Sequence, residues 1–368
     1  MYIHERKEWP AFEWDREKLT DPLAEARHLQ GRLLGRMEAL GFKLREEATL
    51  QTLTQDVVKT SAIEGEKLDT DQVRSSIARR LGMDIGAAPQ IDRNVEGIVE
   101  MMLDATRKYE APLTAERLFG WHASLFPTGR SGMGRITVGG WRGEGSGAMQ
   151  VISGPYGRER IHYEAPAFNR LEMETARFIK WFNASPGSDP LIKSALAHFW
   201  FVTIHPFDDG NGRIARAIAD MTLARAERSP QRFYSMSSQI QRERKGYYDV
   251  LESCQKGSLD ITPWIEWFLN CFKRAIAASD GTLESVLIKA RFWKAHEGEE
   301  FNDRQKEIID RLLDGFDGKL TSSKWAKLTK CSQDSALRDI NDLLNRQILE
   351  KDEAGGRSTS YGLRRQPV

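Results

Sequence analysis

The sequence predicts a mainly α-helical protein with one β-hairpin and a separate C-terminal module. Apolar side chains recur at helical spacing through most of residues 21–272. One strand–turn–strand pattern interrupts them at 149–163, and the tail from residue 302 shows helices followed by a pair of strands. These patterns divide the chain into an N-terminal helical extension (1–110), a core (111–300) and a C-terminal domain (301–368).

Composition narrows the class of protein. The 54 lysines and arginines nearly balance the 53 aspartates and glutamates, so no strong net charge draws the chain to nucleic acid or to an acidic membrane. The three cysteines are widely spaced, which is typical of a reducing compartment. The sequence has no signal-peptide pattern and no run of 18 apolar residues, so we expect a cytoplasmic protein that does not enter a membrane.

The N-terminal extension begins with residues 1–18, whose scattered aromatic rings we expect to pack on the main body. Helices are predicted at about 21–40 and 46–63, and two more within 69–110 around a loop at 84–90. Gly65 suits the left-handed position after a helix, and Thr114 is a candidate N-cap for a helix at 114–126. His122 in that helix is predicted to pack and not to bind a ligand.

Eight glycines lie between 129 and 147, which predicts a loop without regular structure. It is not a phosphate-binding loop of the GxxxxGK(S/T) kind, because that pattern is missing. Strand patterns follow at 149–153 and 158–163, joined by a turn-like Gly154-Pro155-Tyr156-Gly157. The segment therefore predicts a β-hairpin ahead of the helices that carry the chemistry.

The chemistry is concentrated in residues 205–216, HPFDDGNGRIAR. The apolar run 191–204 predicts a buried helix that Pro206 ends, which leaves His205 at its boundary as a candidate general base. Asp209 is a hard oxygen ligand of the kind that Mg²⁺ prefers beside substrate phosphates. The pattern indicates a catalytic turn, and the alternative is an ordinary helix–loop–helix corner.

The second half of this stretch is suited to phosphate. The turn Gly210-Asn211-Gly212 precedes a helix predicted over 213–228, and the N–H groups and dipole of a helix N-terminus attract anions. Arg213 and Arg216 stand three residues apart on one face of that helix. Their guanidinium groups could therefore hold successive phosphates of one polyphosphate chain.

The stretch resembles the signature HxFx(D/E)GNGRxxR of the Fic (filamentation induced by cAMP) family, and every specified position is matched. The resemblance implies a mostly helical Fic core that transfers AMP from ATP to a Ser, Thr or Tyr hydroxyl of a target protein or of the chain itself. In this interpretation His205 is the base, Asp209 holds Mg²⁺, and 210–216 holds the phosphates.

Two further segments resemble parts of that family. Residues 60–65 (TSAIEG), at the end of a helix at about 46–65, are similar to its inhibitory motif (S/T)xxxE(G/N). This implies that Glu64 pairs with Arg216 and occupies the site of the γ-phosphate. The hairpin at 149–163 is similar to the flap that holds a target's backbone by strand addition. The structural alternatives are a surface helix end and an ordinary hairpin.

The roles of two tyrosines near the core stay open at this point. Tyr247 and Tyr248 resemble a family tyrosine region beside the nucleotide base, and core packing explains them equally well. His198 lies inside the apolar helix one heptad before His205, so we predict a packed core histidine there and not a metal ligand.

The tail after residue 300 is similar in element order to a winged helix-turn-helix. Residues 301–368 carry 13 Lys and Arg against 11 Asp and Glu, and the predicted recognition helix contains Asp334, Asp339 and Asp342. Because carboxylates repel DNA phosphate, we favour a protein-docking or homodimerisation module over DNA binding. Gln347 stands where a glycine is expected before the wing.

Two classes of function follow. The first is an autoinhibited protein adenylyltransferase, with the reverse reaction as a close variant in which Glu64 positions a water that hydrolyses AMP from a modified protein. The second is a transcriptional or adaptor protein whose Fic domain senses a nucleotide. The presence of both a base and a metal ligand favours the first class, because a sensor would not need His205.

Overall fold

The protein is represented by a computed structural model that describes residues 1–83, 90–154, 157–184, 187–313, 316, 318–352 and 359–364. The chain divides into two compact units, Met1–Ser279 and Asp280–Val368. The predicted loop at 84–90 falls almost entirely outside the described residues, as do the hairpin-turn residues 155–156 and the wing turn at 353–358. The three-part division expected from the sequence stays a prediction.

The first unit is mainly helical, which confirms the predicted fold class. Its N-terminal helices are α1 (Arg16–Glu38), α2 (Phe42–Ile63), α3 (Thr70–Leu81), α4 (Arg93–Arg107) and α5 (Ala115–Leu125). Two antiparallel strand pairs follow, β1 (Arg130–Ser131) with β2 (Gly134–Arg135) and β3 (Gln150–Ser153) with β4 (Arg160–Glu164). The remaining helices of this unit are α6 (Leu171–Asn183), α7 (Pro190–Ile204), α8 (Asn211–Glu227), α9 (Met236–Arg242) and α10 (Arg244–Gln255). A further helix, α11 (Thr262–Ala295), begins in this unit and continues past its last residue, Ser279.

The helix α7 forms the centre of this unit. Every residue from Leu191 to Ile204 is buried, as expected for a helix that is apolar on all sides. The neighbouring α8 is also buried along most of its length, and the Ser194 hydroxyl donates to the Ala219 carbonyl at 3.0 Å. The turn between these two helices is 205–210, and the rest of the 205–216 stretch is the start of α8, so both ends of the turn are fixed by the core.

Local signals predicted from the sequence are present at several element ends. The Thr114 hydroxyl caps α5 by accepting from the Arg117 N–H, and Gly65 follows α2 with φ +86°. The N-terminal arm packs its rings on the body, since Trp9 is buried and its indole N–H donates to Glu174 at 2.9 Å. These predictions are confirmed because each depends on contacts between near neighbours or on one large apolar side chain.

A buried polar cluster places α2 beside α8. Asp56 on α2 is 1% exposed and accepts from the Ser235 hydroxyl at 2.5 Å. Arg232 is fully buried and pairs with Asp220 on α8 at 3.0 Å. Burial raises the pKa of both aspartates. The cluster fixes the C-terminal half of α2 against the helix that carries the two motif arginines.

One local prediction is wrong, and two helical segments were not predicted. The glycine-rich loop contains the short β1–β2 ladder, because Gly132 turns the chain with φ +53°. Helix α9 was not predicted, although the Ser235 hydroxyl caps it by accepting from the Ser238 N–H. Helix α11 runs on through the charged stretch after residue 279. Leu283 and Val286 are buried there at helical spacing, so the charged residues form its solvated face.

The second unit contains α12 (Asp303–Leu313), α13 (Ser322–Leu328), α14 (Gln333–Asn345), β5 (Leu349–Lys351) and β6 (Tyr361–Leu363). Strands β5 and β6 are antiparallel, and Leu320 makes an additional bridge to Tyr361. This helix–helix–helix–strand–strand order agrees with the sequence pattern, and its assignment to the winged-helix class stays a prediction. Gln347 takes φ +57°, the left-handed conformation for which a glycine was expected.

One acidic residue of α14 does not face outward as we had argued. Asp339 is 5% exposed and accepts from the Arg304 guanidinium at 2.6 Å and 3.0 Å. Helical spacing places it beside the buried Ala336, Ile340 and Leu343, so its charge is neutralised within the unit. The expected repulsion of phosphate therefore does not apply to Asp339.

Among the described residues, no helix is long and apolar enough to span a bilayer.

Candidate active site

His205 ends α7 in an unusual backbone conformation. Its φ and ψ are 51° and 58°, which turn the chain sharply, and its N–H still donates to the Phe201 carbonyl at 3.0 Å. The next turn is clamped by Asn211, whose side-chain amide accepts from the Phe207 N–H at 3.0 Å and donates to the Phe207 carbonyl at 2.8 Å. The histidine and the start of α8 are therefore held in a fixed relation.

The imidazole of His205 is held neutral. Burial lowers the pKa of His205 to about 4, although the hydrogen bond to Val202 and the Glu64 charge act in the opposite direction. Its Nδ1 lies 3.1 Å from the Val202 carbonyl oxygen, which can only accept a proton. Nδ1 therefore carries the hydrogen in the neutral ring, and Nε2 is the basic nitrogen.

A buried arginine supports the same turn from the glycine-rich loop. Arg142 is 2% exposed, and its Nε donates to the His205 carbonyl at 2.9 Å. Its backbone N–H donates to the Pro206 carbonyl, also at 2.9 Å. Burial lowers the pKa of Arg142, and the guanidinium in turn contributes to the low pKa of His205.

The two motif glycines lie in close packing with neighbouring side chains. Gly210 has φ +81°, and a Cβ atom there would lie 2.9 Å from the Phe126 ring. A Cβ at Gly212 would lie 2.3 Å from a carboxylate oxygen of Glu64. Gly212 therefore leaves the space that the Glu64 carboxylate occupies at the N-terminus of α8. The first-turn N–H groups of a helix have no partner within the helix, so this end suits an anion.

Glu64, the C-cap residue of α2, forms a partly buried ion pair with Arg216. The Arg216 guanidinium is 2% exposed and donates to the Glu64 carboxylate at 2.7 Å. It also donates to the Thr60 hydroxyl at 2.7 Å and to the Thr60 carbonyl at 3.0 Å. Burial lowers the pKa of Arg216, but the charge and hydrogen bond of Glu64, together with Tyr247 and Tyr248, outweigh it and the pKa is raised. The Nε and Nη2 atoms of the last motif arginine are thus both bonded to the end of α2.

Arg213 has a similar but more exposed partner. Its guanidinium donates to the Glu66 carboxylate at 2.7 Å and lies over the Phe126 ring, 5.1 Å from the ring centre. The Arg213 side chain is 4% exposed, whereas that of Glu66 is 48% exposed. Both arginines predicted to bind phosphates are therefore occupied by carboxylates from one short segment, Glu64–Glu66.

Asp209 is oriented by its neighbours in the turn. Its carboxylate accepts from the Gly210 N–H at 2.5 Å and from the Ser131 hydroxyl. Beneath it, His122 is fully buried, stacks on Phe207, and has Nε2 3.2 Å from the Asp209 carbonyl. His122 is thus a packed residue, as predicted, and it also supports the turn.

No cluster of three or more metal-binding side chains occurs among the described residues.

The two tyrosines of α10 have different surroundings. Tyr247 is 1% exposed, and its hydroxyl lies 3.2 Å from Nε2 of the buried His198. The half-buried Tyr248 has its hydroxyl 3.5 Å from Glu64 and its ring beneath Arg244. Tyr247 therefore belongs to the core with His198, whereas Tyr248 borders the Glu64–Arg216 pair.

The predicted hairpin is confirmed as β3 and β4. Ile152 and Ile161 are paired across the strands and are 53% and 43% exposed. The hairpin is tied to α10 through Glu252, which accepts from Arg160 at 2.9 Å and contacts His162 at 2.6 Å. The hairpin therefore exposes the apolar pair Ile152 and Ile161, while its polar contacts with Glu252 anchor it to α10.

Several residues around the site were missed by sequence reasoning. Arg142, Ser131, Thr60 and Glu66 all contact motif residues or the turn, as described above. Thr60 stood in the matched inhibitory pattern, so its contact had a signal. The other three carried none, because they reach the site from loops distant in sequence or from beyond the end of that pattern.

Two segments of the chain match known families. Residues 112–223 match the Fic/DOC family, and residues 2–83 match a domain of unknown function (DUF4172). The chain is 28% identical to protein adenylyltransferase Fic of Culex quinquefasciatus, over 66% of this chain and 44% of that protein. It is 26% identical to the protein of the same name in Aedes aegypti, over 63% of this chain and 42% of that protein. The chain thus spans less than half the length of these curated relatives.

Two solved structures share the fold. A Fic family protein from Desulfovibrio desulfuricans G20 superposes with a TM-score of 0.54 at 21% identity, covering 98% of this chain and 99% of that chain. A Fic domain containing signaling protein from Bacteroides thetaiotaomicron VPI-5482 superposes with a TM-score of 0.51 at 17% identity, covering 71% of this chain and 98% of that chain. Residues 112–223, which include the whole 205–216 turn, are therefore a Fic/DOC family domain within a chain of Fic-type fold.

Proposed function

We propose that this chain transfers AMP from ATP to a hydroxyl group of a target protein or of itself, and that Glu64 holds the activity in check. The observation that carries the proposal is the neutral His205 beside two arginines that are both occupied by carboxylates. The relatives named protein adenylyltransferase Fic support the same reaction class.

The triphosphate is bound at the start of α8. The backbone N–H groups at 210–212 and the positive end of the helix dipole attract the phosphates. Arg213 and Arg216 stand on one face of α8, where their guanidinium groups hold successive phosphates. Tyr248 borders this region, and Tyr247 supports it from the core, so the nucleotide base is proposed to lie along α10.

The chemical step is in-line displacement at the α-phosphorus. His205 Nε2 takes the proton of the incoming Ser, Thr or Tyr hydroxyl while that oxygen bonds to phosphorus. The bond between the α-phosphorus and the bridging oxygen breaks, and pyrophosphate leaves. A pKa of about 4 keeps His205 ready as a proton acceptor at neutral pH.

Asp209 is the residue that would hold Mg²⁺. Its two oxygens accept from Gly210 and Ser131, which orient the carboxylate in the turn. A single carboxylate fits this ion, because Mg²⁺ keeps several waters and takes its other ligands from phosphate oxygens. When bound, the ion would neutralise phosphate charge.

Inhibition follows from the occupancy of Arg216. With its guanidinium on Glu64 and Thr60, the arginine cannot also hold the γ-phosphate. The Glu64 carboxylate lies against Gly212, where an anionic phosphate would be repelled. Release of the end of α2 would return both arginines to the nucleotide.

The target is proposed to bind along the β3–β4 hairpin. A strand edge presents N–H and C=O groups to any extended peptide, which explains acceptance of different hydroxyl residues. The exposed Ile152 and Ile161 add apolar contact. We propose the C-terminal domain as a protein-docking or dimerisation module, since the 13 Lys and Arg of residues 301–368 exceed the 11 Asp and Glu only slightly.

The test is incubation of purified chain and lysate with ATP labelled at the α-phosphate. We expect label on protein with Glu64→Gly, and none with Glu64→Gly combined with His205→Ala. Label that persists without His205 contradicts the mechanism. Release of AMP from a modified protein, without any transfer, would indicate the reverse reaction instead.

A further inference from the structure

The buried polar cluster between α2 and α8 contains more carboxyl groups than it can pair as ions. Asp56 comes from α2, Asp220 and Glu227 come from α8, and Arg232 comes from the segment that leads into α9. Asp56 is 1% exposed, and the side chains of the other three are at most 2% exposed. One guanidinium neutralises one carboxylate, and a further buried carboxylate is costly unless it takes up a proton.

The hydrogen bonds of the cluster leave two carboxyl oxygens available for a proton. Arg232 donates to Oδ1 of Asp220 at 3.0 Å and lies 3.5 Å from Oε2 of Glu227. Oδ1 of Asp56 accepts from the Ser235 hydroxyl at 2.5 Å. Within the part of the chain that the structure describes, Oδ2 of Asp56 and Oδ2 of Asp220 have no hydrogen-bond partner.

The third carboxyl group is bonded from the opposite side of the cluster. Oε1 of Glu227 accepts from the Tyr234 hydroxyl and from the Gln30 amide, the latter at 2.8 Å. Burial raises the pKa of Tyr234, so its phenol remains a neutral donor near pH 7. The two aspartates are therefore the members of the cluster with an oxygen that can take up a proton.

The charges that face Asp220 come from α2, from α8 itself and from the segment before α9. Burial raises the pKa of Asp220 to about 8, and the charge of Asp56 acts in the same direction. Glu227 adds to this rise, whereas Arg232 and Arg216 oppose it. Burial likewise raises the pKa of Asp56. The aspartates can therefore exchange a proton with solvent near neutral pH.

The cluster and the inhibitory ion pair lie along the same two helix faces. Asp56, Thr60 and Glu64 are spaced four residues apart on α2 and its C-cap, and Arg216 and Asp220 are four apart on α8. Residues at this spacing lie one above the other on one side of a helix. A repulsion between the two aspartates therefore acts on the same contact that places Glu64 against Arg216.

We propose that a proton on Asp56 or Asp220 latches the inhibitory end of α2 onto α8 and that alkaline pH releases it, an inference that rests on the proposed function. When the proton passes to water, two like charges favour an opening that lets water reach them. Opening moves Glu64 away from Arg216, which the γ-phosphate can then bind. Because the open form loses its proton at lower pH than the closed form, opening increases up to about tenfold per pH unit and levels off above about pH 8.

The experiment compares label incorporation from ATP in the full parent chain and in Glu64→Gly between about pH 6 and pH 9. The inhibition ratio is the rate of Glu64→Gly divided by the rate of the parent chain at the same pH. This ratio cancels the effects of pH on His205 and on ATP, which the two chains share. We expect the ratio to fall at least about fivefold between pH 6 and pH 8 and then to level off.

Asp220→Asn removes the titrating group, while its amide oxygen can still accept from Arg232, so the ratio should lose most of this pH dependence. Asp56→Asn, which can still accept from Ser235, is a second variant with the same expected result. The matched control is Glu25→Gln, which removes an exposed carboxyl group paired with Lys273 at 2.5 Å and should leave the pH dependence unchanged. A ratio that is constant in the parent chain, or that falls equally in Asp220→Asn, overturns the latch.

The failures of the two proposals are distinguishable. If Glu64→Gly modifies no protein at any pH, the proposed function fails, and thermal unfolding then decides whether the cluster holds a proton. The folded chain keeps a proton that the unfolded chain loses above the ordinary aspartate pKa of 3.8, so the melting temperature should fall as pH rises to about 8. A smaller fall in Asp220→Asn supports the buried proton, and an equal fall overturns it.

Discussion

Arg213 and Arg216 lie one helical turn apart on α8, and each pairs with a carboxylate from the end of α2 at 2.7 Å. The pairs differ in burial. The Glu64 side chain is 28% exposed and its arginine 2%, whereas the Glu66 side chain is 48% exposed. Arg216 also has two bonds to Thr60, which fix the guanidinium from another side.

The difference in exposure distinguishes the Glu64–Arg216 pair from the Glu66–Arg213 pair, although both pairs have the same nitrogen–oxygen distance of 2.7 Å. A charge pair loses strength as water and salt reach it, and exposed pairs contribute about 0–1 kcal/mol. Both arginines are buried, at 2% and 4% exposed, so the difference lies in the exposure of the carboxylates and in the second anchor that Thr60 gives Arg216. We therefore expect inhibition to depend more on Glu64, with Glu66 adding a weaker, salt-sensitive contact from the same segment.

The largest expected effect comes from Glu64→Gly. Removal of this carboxylate frees Arg216 and the space beside Gly212 for phosphate. We expect AMP transfer to rise about 5–150-fold, the range of a coupling free energy of about 1–3 kcal/mol. The measurement is the initial rate of label incorporation from ATP, with Glu66→Gly as the matched control. Equal rates in the two variants would remove the distinction between the two pairs.

Thr60→Val tests the second anchor of Arg216. The Thr60 side chain is fully buried, so loss of its hydroxyl leaves the Arg216 Nε without an acceptor. We expect a loss of about 1–3 kcal/mol in the free energy of unfolding and a several-fold rise in transfer. Thr54→Val is the control, since Thr54 lies on the same helix and donates to the Leu50 carbonyl at 2.7 Å. It should lower stability without a change in rate.

Glu66→Gln should have a small effect. Because Glu66 is half exposed, its pair with Arg213 contributes at most about 1 kcal/mol, and transfer should rise less than about fivefold. Salt near 1 M, where the Debye length is about 3 Å, should remove the difference between Glu66→Gln and the parent chain. A rise equal to that of Glu64→Gly would show that the segment inhibits through both carboxylates equally.

The parts of the site that sequence could predict are those encoded locally. His205, Gly210 and Arg216 lie within twelve residues, and Pro206 determines where the preceding helix ends, so the turn and its orientation follow from neighbours. The mainly helical class was predictable for the same reason, since helical spacing is a short-range pattern.

Long-range partners were not predictable in this way. Arg142 reaches the His205 carbonyl from 63 residues away, and nothing in its local sequence marks it. The outward direction predicted for Asp339 was wrong because Arg304, 35 residues earlier, neutralises it inside the second unit. A charged side chain can be buried only where the tertiary fold supplies a partner, and such partners are seen only in the three-dimensional structure.

The smallest expected effect that distinguishes Glu64 from Glu66 is a shift in the pH dependence of AMP transfer. Burial holds the pKa of His205 at about 4, while the Glu64 charge raises it and Glu66 is not among its causes. The acid limb of kcat/KM, which reports groups of the free enzyme, should therefore lie near pH 4 in Glu66→Gln and at lower pH in Glu64→Gly.

The sign of this prediction can be checked independently by stability. The unfolded chain binds a proton at His205 near its ordinary pKa of 6.5, whereas the folded chain does so only near 4. Between these values the unfolded state holds more protons, so this residue makes the free energy of unfolding fall as pH falls through the window. His205→Gln should lessen that fall. An acid limb near 6.5 in both variants would mean that His205 is solvated, and the comparison of the two carboxylates would lose its electrostatic basis.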